Sequence, residues 1–118
     1  MDKLDLMFSE INEMIESVIG ETGREYTIGK FTGIGWLDFH YVCSTYDGMY
    51  PRISLKKQSS GVHLYVMSPD YGLLAEYEDV FGKSGLGKGC IRVKTLTADR
   101  MAGLRDIVEK VKAMHEGE

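Results

Sequence analysis

Three consecutive segments of the chain alternate apolar and polar residues, and a cluster of turn-forming residues separates each from the next. They cover residues 36–43, 50–57 and 62–67, and a short β-branched segment follows at residues 90–94. Alternation of this kind is typical of strands whose two faces meet different surroundings, and short turns join antiparallel neighbours. The sequence therefore predicts an antiparallel sheet with one apolar face.

The alternation also assigns each strand residue to a face. The predicted inward side chains are Leu37, Phe39, Tyr41, Cys43, Ile53, Leu55, Val62, Leu64, Val66, Ile91 and Val93. The opposite face collects Trp36, Asp38, His40, Arg52, His63, Tyr65, Met67, Arg92 and Lys94. This mixture is richer than a solvated face needs, because Trp, Tyr, Met and Arg are enriched at interfaces. Three uses stay open: cover by the middle helix or a dimer partner, binding of a small anion or metabolite, and simple exposure.

Helices are predicted at both ends of the chain. Residues 3–19 place their apolar side chains on one arc, and a second amphipathic helix begins after Thr97. A shorter middle helix is predicted from Ser68 to Gly82, and residues 26–28 could add a short strand. The predicted fold class is α+β: an antiparallel sheet of four to five strands with the N- and C-terminal helices packed on one face, plus a short middle helix.

Length and composition predict a single domain spanning residues 1–118. A net charge of −4 argues against nucleic-acid binding. No stretch approaches the roughly 18 apolar residues of a membrane span, and the first residues lack the apolar core of a signal peptide. Cys43 and Cys90 have no metal-ligand spacing and are predicted to be free thiols of a reduced compartment. We therefore expect a cytoplasmic monomer or homodimer.

Residues 82–88 fit the opening of a phosphate-binding loop, G-x-x-x-x-G-K. That motif needs a strand before the loop, a helix after it and Ser or Thr after the lysine. Here Gly89 follows Lys88, and the predicted order of helix and strand is reversed. We therefore interpret the glycines as a helix end followed by tight turns.

The sequence gives no positive sign of an enzyme. No nucleophile with a neighbouring base, no pair of catalytic carboxylates and no zinc-ligand spacing stands out. A long-range constellation of His40, His63 and Asp38, or a catalytic thiol at Cys43 or Cys90, stays open at this stage.

Residues 52–112 resemble the YdhG-like family, a bacterial domain of unknown function. The resemblance rests on Ser-Gly-Val-His-Leu-Tyr-Val-Met-Ser-Pro at 60–69, Leu-Ala-Glu-Tyr at 74–77, Gly-Lys-Gly-Cys-Ile-Arg-Val at 87–93 and Leu-Thr at 96–97. It implies a compact α+β sandwich similar to that of frataxin, in which terminal helices cover an antiparallel sheet. Frataxin-like proteins bind iron loosely through exposed carboxylates and help to deliver it to iron–sulfur cluster assembly.

Two binding hypotheses follow, and neither requires a tightly bound cofactor. The first is weak binding of iron, for delivery to iron–sulfur assembly proteins, by the acids on the outer arc of the first helix: Asp2, Asp5, Glu13 and Glu16. The second is a module for a small anionic ligand, a metabolite or a protein partner that uses the open sheet face and the loop 82–89. Its predicted ligand-binding residues are Trp36, Asp38, His40, Arg52, His63, Tyr65, Lys88 and Arg92.

Overall fold

The structure is a computed structural model that describes residues 2–67, 72–87 and 89–117, without the side chains of Ile28 and Phe31. Its elements are α1 (Lys3–Ile19), β1 (Arg24–Ile28), β2 (Phe31–Cys43), β3 (Tyr46–Gln58), β4 (Gly61–Val66), α2 (Glu78–Phe81), β5 (Cys90–Val93) and α3 (Ala98–Glu116). Two 3₁₀ turns lie at Leu74–Tyr77 and Lys83–Gly85. The five strands form one antiparallel sheet in chain order. The predicted α+β class is confirmed.

The two long helices pack against each other and against the sheet. Each begins at a polar cap: the Asp2 carboxylate accepts a hydrogen bond from the Asp5 N–H at 2.9 Å, and the Thr97 hydroxyl accepts one from the Arg100 N–H at 3.1 Å. Near the C-terminal ends of the two helices, the Lys112 ammonium of α3 donates to the Val18 carbonyl of α1 at 3.0 Å. Both helices therefore end at the same side of the molecule.

The apolar stripes predicted for the helices form the core together with one face of the sheet. The buried apolar residues include Met7, Ile11, Met14, Ile15 and Ile19 of α1, Leu104, Ile107, Val108 and Val111 of α3, and Ile53, Leu55, Val62, Leu64, Val66, Ile91 and Val93 of the strands. No helix among the described residues is long and apolar enough to cross a membrane.

The middle helix is shorter than the sequence predicts. Its predicted start at Ser68-Pro69-Asp70 lies outside the described residues, and the described part is a 3₁₀ turn followed by the four residues of α2. Phe81 of α2 packs against α3 at Gly103, where an added Cβ atom would lie 3.2 Å from the Phe81 ring. The described part of this helix therefore covers a flank of α3. Cover of the second sheet face by the middle helix, one of the uses left open by the sequence, is not seen in the described part.

Strand β2 corrects the predicted face assignment. Trp36, predicted to face outward, is only 2% exposed, whereas Cys43, predicted to face inward, is exposed. The reason is the strand register, since Trp36 lies directly opposite Ile53 on β3 and cross-strand partners share a face. Phe39 and Tyr41 are half-buried because their rings pack on one another, at a centroid distance of 5.9 Å, and on tyrosines of β3.

Two polar residues predicted for the open sheet face are buried instead. Arg52 is 6% exposed and His63 is 8% exposed. Arg52 lies with its guanidinium 4.0 Å from the centroid of the Phe39 ring, and it donates to the Met67 carbonyl at 3.3 Å and to His115 Nδ1 at 3.2 Å. Alternation along a strand predicts which face a side chain takes, and it does not predict which neighbours cover it.

The glycine-rich segment before residue 36 forms regular strand structure. Gly33 and Gly35 lie inside β2 and pair with Tyr26 and Arg24 of β1. An added Cβ atom at Gly35 would lie 2.6 Å from Pro51 Cβ, so close packing explains the glycine there.

Candidate functional site

The residues predicted to bind a ligand do not form one site. Trp36 and Asp38 line a cavity beside the ends of α1 and α3, whereas His63, Tyr65 and Arg92 lie together on β4 and β5. Of the other three, His40 and Arg52 are among the described residues, and neither lines the cavity. His40 is exposed and hydrogen-bonds Asp47 at 2.6 Å, Arg52 is buried between the hairpin and α3, and Lys88 lies outside the described residues.

The cavity has a volume of about 440 Å³, and we call it the helix-end cavity. Its lining consists of Ile19, Glu21, Thr22, Arg24, Gly35, Trp36, Leu37, Asp38, Lys112, His115 and Glu116. This volume lies within the range of roughly 300–1,000 Å³ that is usual for small-molecule sites.

The wall formed by β2 is held in an unusual conformation. Leu37 has a φ angle of 60°, and it is the one non-glycine residue with a positive φ among those described. Left-handed backbone in such a residue costs on the order of 1–2 kcal/mol, and retained strain of this kind clusters at binding sites. Next to it, the Trp36 indole N–H donates to the Glu21 carbonyl at 3.1 Å and fixes the loop after α1.

The charged residues of the helix-end cavity are partly engaged with one another. Arg24 forms an ion pair with Asp38 across β1 and β2. The imidazole of His115 accepts a hydrogen bond at Nδ1 from Arg52, so its Nδ1 carries no proton and the neutral ring has its proton on Nε2. The carboxylates of Glu21 and Glu116 have no ion-pair partner among the described residues.

Most of these lining residues were not predicted from the sequence. Glu21 follows the end of α1, and Lys112, His115 and Glu116 lie in the last turns of α3. Cations near the end of a helix suit its dipole and need no further explanation. Only the meeting of the two helix ends in three dimensions reveals a cavity between them.

The second group surrounds His63 on the sheet. The Gln58 side-chain nitrogen lies 3.3 Å from His63 Nδ1 and 3.2 Å from the Tyr65 hydroxyl. His63 lies directly opposite Arg92 of β5 and Lys56 of β3. Burial, and then the charges of Arg92 and Lys56, lower the pKa of His63 below its ordinary value. The imidazole is therefore neutral at neutral pH.

The two cysteines occupy different surroundings. Burial raises the pKa of the Cys90 thiol, whereas hydrogen bonds from Thr45 lower the pKa of the exposed Cys43 thiol. The Cys43 sulfur lies 3.5 Å from the Thr45 hydroxyl, near the turn between β2 and β3. The catalytic thiol left open by the sequence remains a prediction without a described base beside it.

The acids predicted to hold iron are spread along α1. Asp2 caps the helix, and Asp5 forms an ion pair with Lys57 of β3. Glu13 lies about 12 Å along the helix axis from Asp5, since each residue rises 1.5 Å. Among the described residues, no three His, Cys, Asp or Glu side chains are grouped closely enough to hold one metal ion. Iron binding by these acids remains a prediction, and it would require weak binding to carboxylates that lie far apart on the surface.

Comparison with known proteins adds no relative: no family model, no curated protein and no solved structure matches the chain. The resemblance of residues 52–112 to the YdhG-like family therefore remains a prediction.

Proposed function

We propose that this protein binds a small organic cation, such as a primary amine with a short apolar body, in the helix-end cavity. The observation that carries the proposal is a cavity of about 440 Å³ beside the ends of two helices, lined by Glu21 and Glu116, whose carboxylates have no ion-pair partner among the described residues. This differs from the anionic ligand and from the iron predicted from the sequence. No feature of the described residues favours iron over an organic cation.

The electrostatics of the cavity favour a positive ligand. Three acidic residues, Glu21, Asp38 and Glu116, line it together with two permanently charged basic residues, Arg24 and Lys112. The ends of α1 and α3 add the partial negative charge of their last carbonyl groups, roughly half a charge each. One of those carbonyls, at Val18, already accepts from Lys112. The lining as a whole is therefore negative.

The apolar part of the lining suits the body of such a ligand. Ile19 and Leu37 contribute apolar surface at the cavity, and Trp36 also lines it. The arrangement combines a hydrophobic wall with a few placed polar groups, as small-molecule sites usually do.

The proposal predicts selectivity by charge among ligands of equal size. We expect n-butylamine to bind saturably, n-butanol to bind more weakly, and butyrate not to bind. Trp36 is the single tryptophan of the chain, so its fluorescence and its indole N–H resonance report on this cavity alone. Glu21→Gln and Glu116→Gln should each weaken butylamine binding by about two- to fivefold, the usual effect of a partly exposed charge pair.

Glu13→Gln provides the matched control, because Glu13 is an exposed acid of α1 that does not line the cavity. It removes the same charge and should leave butylamine affinity unchanged. The proposal would be overturned if butyrate bound as tightly as butylamine. It would also be overturned if Glu13→Gln lost as much butylamine affinity as Glu21→Gln and Glu116→Gln. No response to any of the three probes would also overturn it.

A further inference from the structure

A second group of charged and polar side chains lies on the sheet, away from the helix-end cavity. Lys56, His63 and Arg92 occupy directly opposite positions on the adjacent strands β3, β4 and β5. Their backbones are thus about 4.8 Å apart from one strand to the next. The three nitrogen-bearing side chains form a row across the sheet with His63 in the middle, and none of them lines the helix-end cavity.

His63 carries an unpaired hydrogen-bond donor in this row. The Gln58 amide nitrogen can only donate, so the His63 Nδ1 atom that it contacts at 3.3 Å accepts. The proton of the neutral ring is therefore on Nε2. This atom is buried and has no hydrogen-bond partner among residues 2–67, 72–87 and 89–117, and His63 as a whole is only 8% exposed. A buried donor left unpaired is costly, and such groups in native proteins call for an explanation.

Arg92 is held beside His63 by the glycine-rich loop. Its Nη1 atom donates to the Ser84 carbonyl at 3.1 Å, and Ser84 lies in the 3₁₀ turn Lys83–Gly85. An added Cβ atom at Gly87 would lie 3.3 Å from Arg92 Nη2, so the glycine leaves room for the guanidinium. The remaining N–H groups of Arg92 can still donate to a ligand, because a guanidinium has five of them.

We propose that His63, Arg92 and Lys56 bind a tetrahedral dianion, either inorganic phosphate or a phosphate monoester. One ligand oxygen accepts from His63 Nε2–H, and the two cations balance the two negative charges. A ligand with one carboxylate has one negative charge, so it would leave one of the two cations, Arg92 or Lys56, without a counter-charge. Because Nε2 has almost no contact with solvent, a neighbouring side chain has to move aside for the ligand to reach it.

Binding of the dianion should depend on pH through His63. The titratable or charged groups around its ring are Lys56 of β3, Tyr65 of β4, and Cys90 and Arg92 of β5. Protonation adds a positive charge at the ligand, so a dianion binds the imidazolium form more tightly and raises the pKa of His63 in return. Sulfate is the suitable probe, since its own charge does not change between about pH 8 and about pH 5, the range in which histidine titrates.

The test is a titration with sulfate at constant ionic strength, observed through the imidazole nitrogen resonances of His63. We expect saturable binding that tightens as the pH falls, by about tenfold for each unit by which sulfate raises the pKa of His63. Acetate should bind more weakly than sulfate. Phosphate and phenyl phosphate distinguish the source, because tighter binding of the ester would identify a phosphate monoester as the ligand.

Arg92→Gln should weaken sulfate binding by about tenfold or more, the usual effect of losing a charge-assisted contact. Arg105→Gln is the control, because Arg105 is an exposed arginine of α3 that pairs with Glu109. His63→Phe removes the donor, and its folding is checked by the indole N–H resonance of Trp36. Equal affinity in Arg92→Gln and the control, or affinity independent of pH, would overturn the proposal. We expect Arg92→Gln to leave butylamine binding unchanged, so the two proposals are tested independently of each other.

Discussion

Replacing Gly61 by alanine is expected to lower the free energy of unfolding by about 4 kcal/mol or more, at the upper end for a single substitution. Gly61 starts β4 with a φ angle of 148°, which L side chains rarely adopt. An added Cβ atom would lie 2.5 Å from the Val93 carbonyl oxygen and 3.3 Å from the Lys94 Cα atom. Both are backbone atoms that cannot rotate away, so β5 has to shift or the turn has to open.

Gly29→Ala is the matched control for this substitution. Gly29 also lies in a hairpin turn with a positive φ, 62°, but an added Cβ atom there would meet nothing within 4 Å. It should cost only the left-handed strain, about 1–2 kcal/mol. Urea denaturation of the two variants measures the difference. If both variants lost the same free energy of unfolding, this would contradict the packing of β5 against the turn before β4.

The elements of this fold were largely predictable, because the local pattern and the tertiary packing agree. The apolar arc of α1 predicts both its bounds and its buried residues, and the alternation of β4 predicts that Val62, Leu64 and Val66 are buried. Gly61 belongs to the cluster of turn-forming residues that the sequence places between residues 57 and 62. Its contact with Val93 could not be predicted, because it depends on how two strands far apart in sequence meet.

Burial of polar residues was the least predictable feature. His63 lies on the face that alternation predicts, yet it is covered by neighbours on three strands. Arg52 is enclosed by Phe39 and by the last turn of α3, which is more than sixty residues away in sequence. The helix-end cavity could not be predicted for the same reason, because it depends on contacts between segments far apart in sequence. Its charged residues look like ordinary helix-end residues until α1 and α3 are seen to end together.

Trp36→Ala is expected to lower the free energy of unfolding by about 3–5 kcal/mol, the usual cost of deleting a buried large aromatic side chain. The indole fills the space beside Ile53 and donates to the Glu21 carbonyl at 3.1 Å. An alanine leaves both a void and an unpaired carbonyl group. Gly23 indicates how tightly the ring is packed, because an added Cβ atom at Gly23 would lie 2.6 Å from it.

Trp36→Ala distinguishes between the two assignments of the β2 side chains to the faces of the sheet. If Leu37 and Phe39 faced the core as the alternation predicts, Trp36 would be a surface residue, and its loss would change stability by less than about 0.5 kcal/mol. Val42→Ala supplies that reference within the same strand, since Val42 is 61% exposed. Circular dichroism during urea denaturation is the suitable measurement, because Trp36→Ala removes the fluorescence of the only tryptophan. A loss in Trp36→Ala no larger than in Val42→Ala would contradict the register of β2 with β3, and with it the wall of the helix-end cavity.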